Sequence, residues 1–173
     1  MISIDKPTEG EYPPYAIQYI GLLPDDGLIL DHLMNNLKAT QIFIGSLPED
    51  NLMHRRARDK WTIKEILLHI ADDERIYAYR ALRFARNDPT QLPGFEQDDY
   101  TAYSGANGRT IDDLLTEFAT VREATISLFN GFDHEMLTRT GVASGSHMSV
   151  RAIAYHIAGH ELHHLNIIRE HYL

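Results

Sequence analysis

The stretch Trp61–Phe84, WTIKEILLHIADDERIYAYRALRF, decides how the chain folds. Thr62 stands three residues before Glu65. That is the spacing of a capping box, in which the hydroxyl and the carboxylate each accept an amide hydrogen at a helix start. Trp61 and Ile66 occupy the positions of a hydrophobic staple across the same turn. Ile63, Ile66, Ile70, Tyr77, Ala81 and Phe84 then fall on one face at helical spacing, so a long amphipathic helix is expected. The turn-forming run ARNDPTQLPGF ends it.

Three more stripes of this kind flank it. Upstream, Leu30, Leu33, Leu37, Ile44 and Leu47, with Gln41 on the same face, predict a first helix over about Asp26–Leu47. Downstream, Thr110 with Asp113 three residues on opens a third helix carrying Ile111, Leu114, Leu115, Phe118, Val121, Thr125 and Leu128. Ser149 caps a fourth that runs to about His171. Four such helices predict an all-α four-helix bundle over residues 1–173 as one domain. The Asn87–Arg109 segment, at about 23 residues, is too long for a plain helix hairpin and suits a crossover along the bundle. Residues 1–25, rich in proline and tyrosine, are expected as an extended arm, and RTGVASGSHMS as a loop.

Composition narrows the function. A chain of 173 residues, 43% hydrophobic and 24% charged, is an ordinary globular mixture. No apolar run reaches a membrane span. The polar N-terminus lacks a signal-peptide pattern, which leaves the cytoplasm as the expected compartment. The net charge of −9 argues against a nucleic-acid partner. With no cysteine, any metal site must use His, Asp, Glu and water.

The fourth helix supplies the candidates. Val150, Ile153, Ile157, His160, His164 and Ile168 form one stripe, so two imidazoles replace apolar residues on the core face. Two satisfied core histidines are the structural alternative. Leaving them unpaired costs about 1–3 kcal/mol each, however, and an ion that takes the lone pairs removes this penalty. His69, between Ile66 and Ile70, is the best third ligand. It lies seven residues, ~10 Å, inside the second helix, and His164 lies as far from the end of the fourth, so an antiparallel pair puts both at one height. His156 is an alternative ligand or an orienting group, and His163 belongs at the rim. Asp73, one turn beyond His69, is a candidate to orient a ligand or bind the ion.

His160-Glu161-Leu162-His163-His164 also satisfies the His-Glu-x-x-His string of zinc proteases, with Glu161 as base. The context does not fit. The longer protease motif wants glycine at position 167 and histidine at 170, where this chain has Ile167 and Glu170.

Three segments together carry a family resemblance: PPYAIQYIGLLP, the run from KWTIKEILLHIADDE to GFEQDDY, and GVASGSHMSVRAIAYHIAGHELHHLNIIREHY. The chain resembles the DinB-like superfamily, in its DinB/YfiT-type branch of metal-dependent enzymes, over essentially its whole length. The resemblance implies an up-down-down-up bundle whose long crossover joins parallel second and third helices. It also implies a divalent ion, nickel or zinc, on His69, His160 and His164. Related proteins include S-transferases that use bacillithiol or mycothiol. The leading expectation is therefore a metal-dependent S-transferase acting on a small molecule with a low-molecular-weight thiol. The rivals are a hydrolase in which Glu161 or Asp73 assists proton transfer, and a non-catalytic stress-response or interaction module. A homodimer is compatible with the sequence.

Overall fold

The computed structural model describes residues 1–173. In chain order the helices are α1 (Ile17–Ile20), α2 (Ile29–Gly45), α3 (Glu49–Leu52), α4 (Ile63–Ala85), α5 (Gln97–Tyr103), α6 (Ile111–Asn130), α7 (His134–Thr138) and α8 (Val150–His171). A hairpin of β1 (Thr140–Ala143) and β2 (Ser146–Ser149) precedes α8. The bundle is made by α2, α4, α6 and α8.

Three of the four long helices start where a side chain caps them. The Glu65 amide donates to Thr62 Oγ1 at 3.1 Å, and the Thr62 amide donates to Glu65 Oε2 at 2.8 Å, closing the capping box. Thr110 accepts from the Asp113 amide and Ser149 from the Ala152 amide. The first bundle helix begins at Ile29 rather than Asp26. Gly27, at φ +73°, and Asp26, which accepts from the Leu28 amide, form a turn there.

Side-chain contacts fix the directions. Thr62 Oγ1 meets Asn107, and Lys64 Nζ reaches the Arg109 carbonyl, so α4 and α6 start at the same end and run parallel. Tyr172, after α8, bonds the Trp61 carbonyl before α4, so these two are antiparallel. Leu33 pairs with Arg122, and Gly45 lies beside Leu115, which sets α2 antiparallel to α6. The order is up-down-down-up. Parallel α4 and α6 require the return crossover, which contains α5 and a 3-10 turn at Ala106–Gly108. The N-terminal arm is only partly extended. Ile4 bridges to Leu28, while α1 buries Ile20 against the bundle. The expected loop before α8 is the hairpin, joined by Leu92 of the crossover.

The core has two apolar clusters, around Leu33, Phe84, Phe129 and Ile153 at one end and around Ile44, Ile66, Phe118 and Leu165 at the other. A polar layer separates them. Arg122 of α6, fully buried, donates to Glu74 Oε1 and Oε2 of α4, each at 2.9 Å through Nε and Nη2. Its Nη1 donates to the Leu33 carbonyl of α2 at 2.8 Å, and Nη2 lies 2.9 Å from Glu161 Oε2 of α8. Thr40 of α2 donates to Glu161 Oε1 at 2.6 Å. Burial lowers the Arg122 pKa, but the Glu161 and Glu74 carboxylates raise it more, so the guanidinium stays charged. Thr40, rather than Gln41, is the buried polar residue of the α2 face.

Removing one member of a buried ion network strands the others, typically at about 3–5 kcal/mol. Arg122→Met leaves two buried acids facing each other and should lower unfolding stability in urea by that amount. A loss under about 1 kcal/mol, the range of an ordinary point change, would deny the layer its structural role.

Candidate metal centre

Antiparallel α4 and α8 bring three imidazoles to one height. His69 Nε2 lies 3.1 Å from His160 Nε2, and His164 Nε2 lies 3.1 Å from the same atom. One ligand-capable atom from each of the three residues falls within 4.8 Å of the others. Donors about 3 Å apart suit a shared cation with bonds of ~2.0–2.1 Å.

Two aromatic side chains wall the cluster. Trp61 packs 4.7 Å from the His69 ring and stacks on His164 at 6.5 Å. Tyr19, from the arm, sets its ring edge-on to His160 at 5.4 Å. Gly159 permits that approach, because a Cβ there would stand 2.2 Å from the Tyr19 carbonyl oxygen.

Electrostatics keeps the rings neutral. Burial lowers the pKa of His69, takes His160 down to about 3 and drives His164 well below the usual imidazole value. Neutral rings each hold one lone pair that can be turned to the shared point, and without an ion the single lone pair of His160 Nε2 is all that the other two Nε2 atoms can share. A divalent ion satisfies all three, so the donor set fits one. Imidazole suits zinc, nickel, copper and iron alike.

Asp73 is buried behind the cluster. Its Oδ2 lies 3.4 Å from His160 Nδ1 and 3.2 Å from His156 Nε2. A carboxylate this near Nδ1 electrostatically favours the tautomer with its hydrogen on that side, which leaves Nε2 free for an ion. Burial raises the Asp73 pKa, but His160 and His156 beside it lower it more, and the carboxyl ionises well below its usual range. His156 does not join the three. It stacks on Tyr77 at 3.8 Å and shares the Asp73 Oδ2 atom with His160. His163, half-buried, sits edge-on to His164 at the rim.

Glu161 requires a correction. One residue past His160 is a turn of about 100° around the helix, and this points its carboxylate into the Arg122 layer instead of at the imidazoles. Both oxygens are engaged there, by Thr40 and by Arg122.

The half-buried His164 opens on a cleft of about 890 Å³, lined also by Arg55, Arg56, Lys60, Trp61 and Asp98. Trp61 and Tyr19 were not anticipated as walls of the site. Trp61 read as a helix staple, and no local pattern ties Tyr19 to a helix over a hundred residues away.

The DinB superfamily model matches residues 32–168. The chain belongs to the DinB superfamily. A relative from Oceanobacillus iheyensis, provisionally named a metal-dependent hydrolase, is 26% identical over 129 residues and 73% of each chain. YfiT from Bacillus subtilis, described as a probable metal-dependent hydrolase with an unusual four-helix bundle topology, shares the fold. The TM-score is 0.72 over 95% of this chain and 90% of that one, at 14% identity.

Two outcomes test this DinB site. By calorimetry, His160→Ala should lose stoichiometric zinc binding, and Asp73→Asn should weaken it about 10–100-fold, the usual effect of removing a ligand's carboxylate partner. Retained wild-type affinity in either variant would contradict the assignment. In the metal-stripped protein the depressed imidazole values mean that the unfolded chain takes up protons first. Stability should therefore be full above about pH 6.5 and fall below it, by up to ~1.4 kcal/mol per pH unit for each imidazole. The fall should continue toward about 3, where folded His160 also protonates. Urea midpoints unchanged between neutral and mildly acidic buffer would refute this.

Proposed function

We propose that this protein is a metal-dependent hydrolase acting on a small molecule held in the cleft beside His164. The observation that supports it is the meeting of three neutral Nε2 atoms at the inner end of that cleft. A divalent ion held there supplies Lewis acidity and a nucleophile activated at neutral pH. The chain's own groups do the rest. The Asp73 carboxylate beside Nδ1 favours the His160 tautomer that offers Nε2. Trp61 shields one side of the cluster from water. Arg55 is paired with Glu65 and Lys60 with Asp59, whereas Arg56, on the same wall, has no carboxylate partner and is free to hold a substrate anion. The hydrolase names of two relatives add to this reading.

One observation favours a second reading, transfer of a low-molecular-weight thiol. Asp73 is held by His156 and His160, and Glu161 by Arg122 and Thr40. The Asp73 oxygen in contact with the rings, Oδ2, is thus shared between two imidazoles, and Glu161 is not available to the cluster as a base. A thiol, with a pKa near 8.5, ionises beside a cation without one. The sulfur would come from the substrate, since the chain has no cysteine.

The zinc- or nickel-loaded protein should hydrolyse an activated ester such as p-nitrophenyl acetate without added thiol, and lose that activity on chelation and in His160→Ala. Turnover of an electrophile such as monobromobimane only when cysteine or bacillithiol is added would replace hydrolysis with thiol transfer. No metal-dependent turnover of either kind would overturn both.

A further inference from the structure

The protein has three buried cations, and one of them is unpaired. Lys64 holds Glu49 at 2.5 Å, and Arg122 holds Glu74 and Glu161. Arg80 of α4 is only 5% exposed and has no carboxylate partner. Its one hydrogen bond runs from Nη2 to Ser144 Oγ at 3.1 Å. The guanidinium lies over the Tyr77 ring at 4.6 Å and near Phe95 at 6.0 Å. Arginine is rarely this buried unless paired, and the planar fork of this one keeps most of its five donors unspent.

Those donors border a separate chamber of about 290 Å³, walled by Tyr15, Tyr77, Phe95 and Ser144, with Arg80 at one part and His160 at another. Gln97 borders both this chamber and the cleft beside His164. The three imidazoles thus stand between two cavities, one reached through His164 and one through His160. Ser144 takes φ +52°, unusual for a residue with a Cβ, and with Gly145 at +74° it makes the tight turn between β1 and β2. Serine at such a position is conformationally strained. Here its hydroxyl holds the guanidinium.

We propose that this chamber is a second ligand subsite. It takes a small molecule whose carboxylate binds Arg80 and whose reacting group lies at His160. A carboxylate is favoured over a phosphate dianion because the chamber offers a single fork-shaped cation while Asp73 and Glu96 also line it. Arg80 is seven residues past Asp73, so the anion and the reacting atom of the ligand are roughly 10 Å apart. Tyr15 and Phe95 border the path between them, while Tyr77, already packed on His156 and Arg80 and hydrogen-bonded to Tyr15, forms its fixed floor. The reacting-group end rests on the metal-dependent reading above; the carboxylate end does not.

The test compares 6-mercaptohexanoate with 6-mercaptohexanol by calorimetry on the zinc-loaded protein. The acid should bind about 10–100-fold more tightly, as a charged hydrogen-bonded pair warrants. Arg80→Met should erase that advantage while zinc stoichiometry is retained, and Arg80→Lys should keep part of it. Equal affinity for acid and alcohol in the wild type, or an advantage that survives Arg80→Met, overturns the subsite. Should Arg80→Met fail to fold, Arg80→Lys decides: a reduced advantage supports the proposal and an undiminished one overturns it. Zinc stoichiometry is read separately. A wild-type protein that holds none of zinc, nickel, copper or iron overturns the metal reading, and hexanoate against hexanol on the metal-free protein then judges the Arg80 end by the same criteria.

Discussion

Arg122 constrains the bundle more than any other residue. Its guanidinium rises from α6 and makes polar contacts with Glu74 of α4, Glu161 of α8 and the Leu33 carbonyl of α2, so one side chain relates all four helices. Apolar packing alone tolerates sliding of one helix along another, because any leucine can replace its neighbour in a groove. A charged fork with one bidentate partner does not, since a shift of one residue leaves a buried charge unpaired. The layer thus sets the relative height of α4, α6 and α8. It also divides the apolar core into the cluster around Phe84 and the cluster around Ile66.

The metal centre inherits that register. Two adjacent pairs of residues split their side chains between two networks. On α4, Asp73 turns to His160 and Glu74 to Arg122. On α8, His160 turns to His69 and Glu161 to Arg122. Neighbouring positions on a helix lie about 100° apart, so each pair faces two directions from one backbone height. Holding Glu74 and Glu161 on one guanidinium therefore holds Asp73 and His160 level with each other. The imidazoles converge because an ion network behind them has already set α4 against α8. This is also why Glu161, which the protease-like string presents as a base, serves a different chemistry. The string supplies its histidines to one network and its glutamate to the other.

Much of this was legible from the sequence, for identifiable reasons. Long stripes and the Thr62–Glu65 box are local signals, and they placed four helices and the level of His69 against His164. Arg122 was legible in principle. Leu115, Phe118, Arg122, Ile126 and Phe129 share a stripe, as do Ile70, Glu74 and Tyr77, and as do Ile157, Glu161 and Leu165. A charge on an apolar face in one helix reads as an exception; opposite charges on three such faces imply that they meet. The hairpin was not legible. Its strands are four residues each, too short for alternation to register, and Leu92 of the crossover completes them from far along the chain. The same holds for Tyr19 and Arg80, whose surroundings are assembled from distant segments.

Those distant segments gather around one region of the bundle, and the placement has a physical reason. A four-helix interior closed on all sides gives imidazoles no access to a ligand. The bundle helices supply the donors, while the parts outside the bundle supply the walls. Tyr15 and Tyr19 come from the arm, Phe95 and Gln97 from the crossover, and Ser144 from the hairpin turn. Parallel α4 and α6 make the crossover obligatory, because the chain must return the length of the bundle before α6 begins. That obligatory return is the segment that borders both cavities through Gln97. The unusual helix order and the access to the histidine cluster are therefore consequences of one constraint. A simple up-and-down order with short hairpins would hold the same imidazoles without the crossover that walls them.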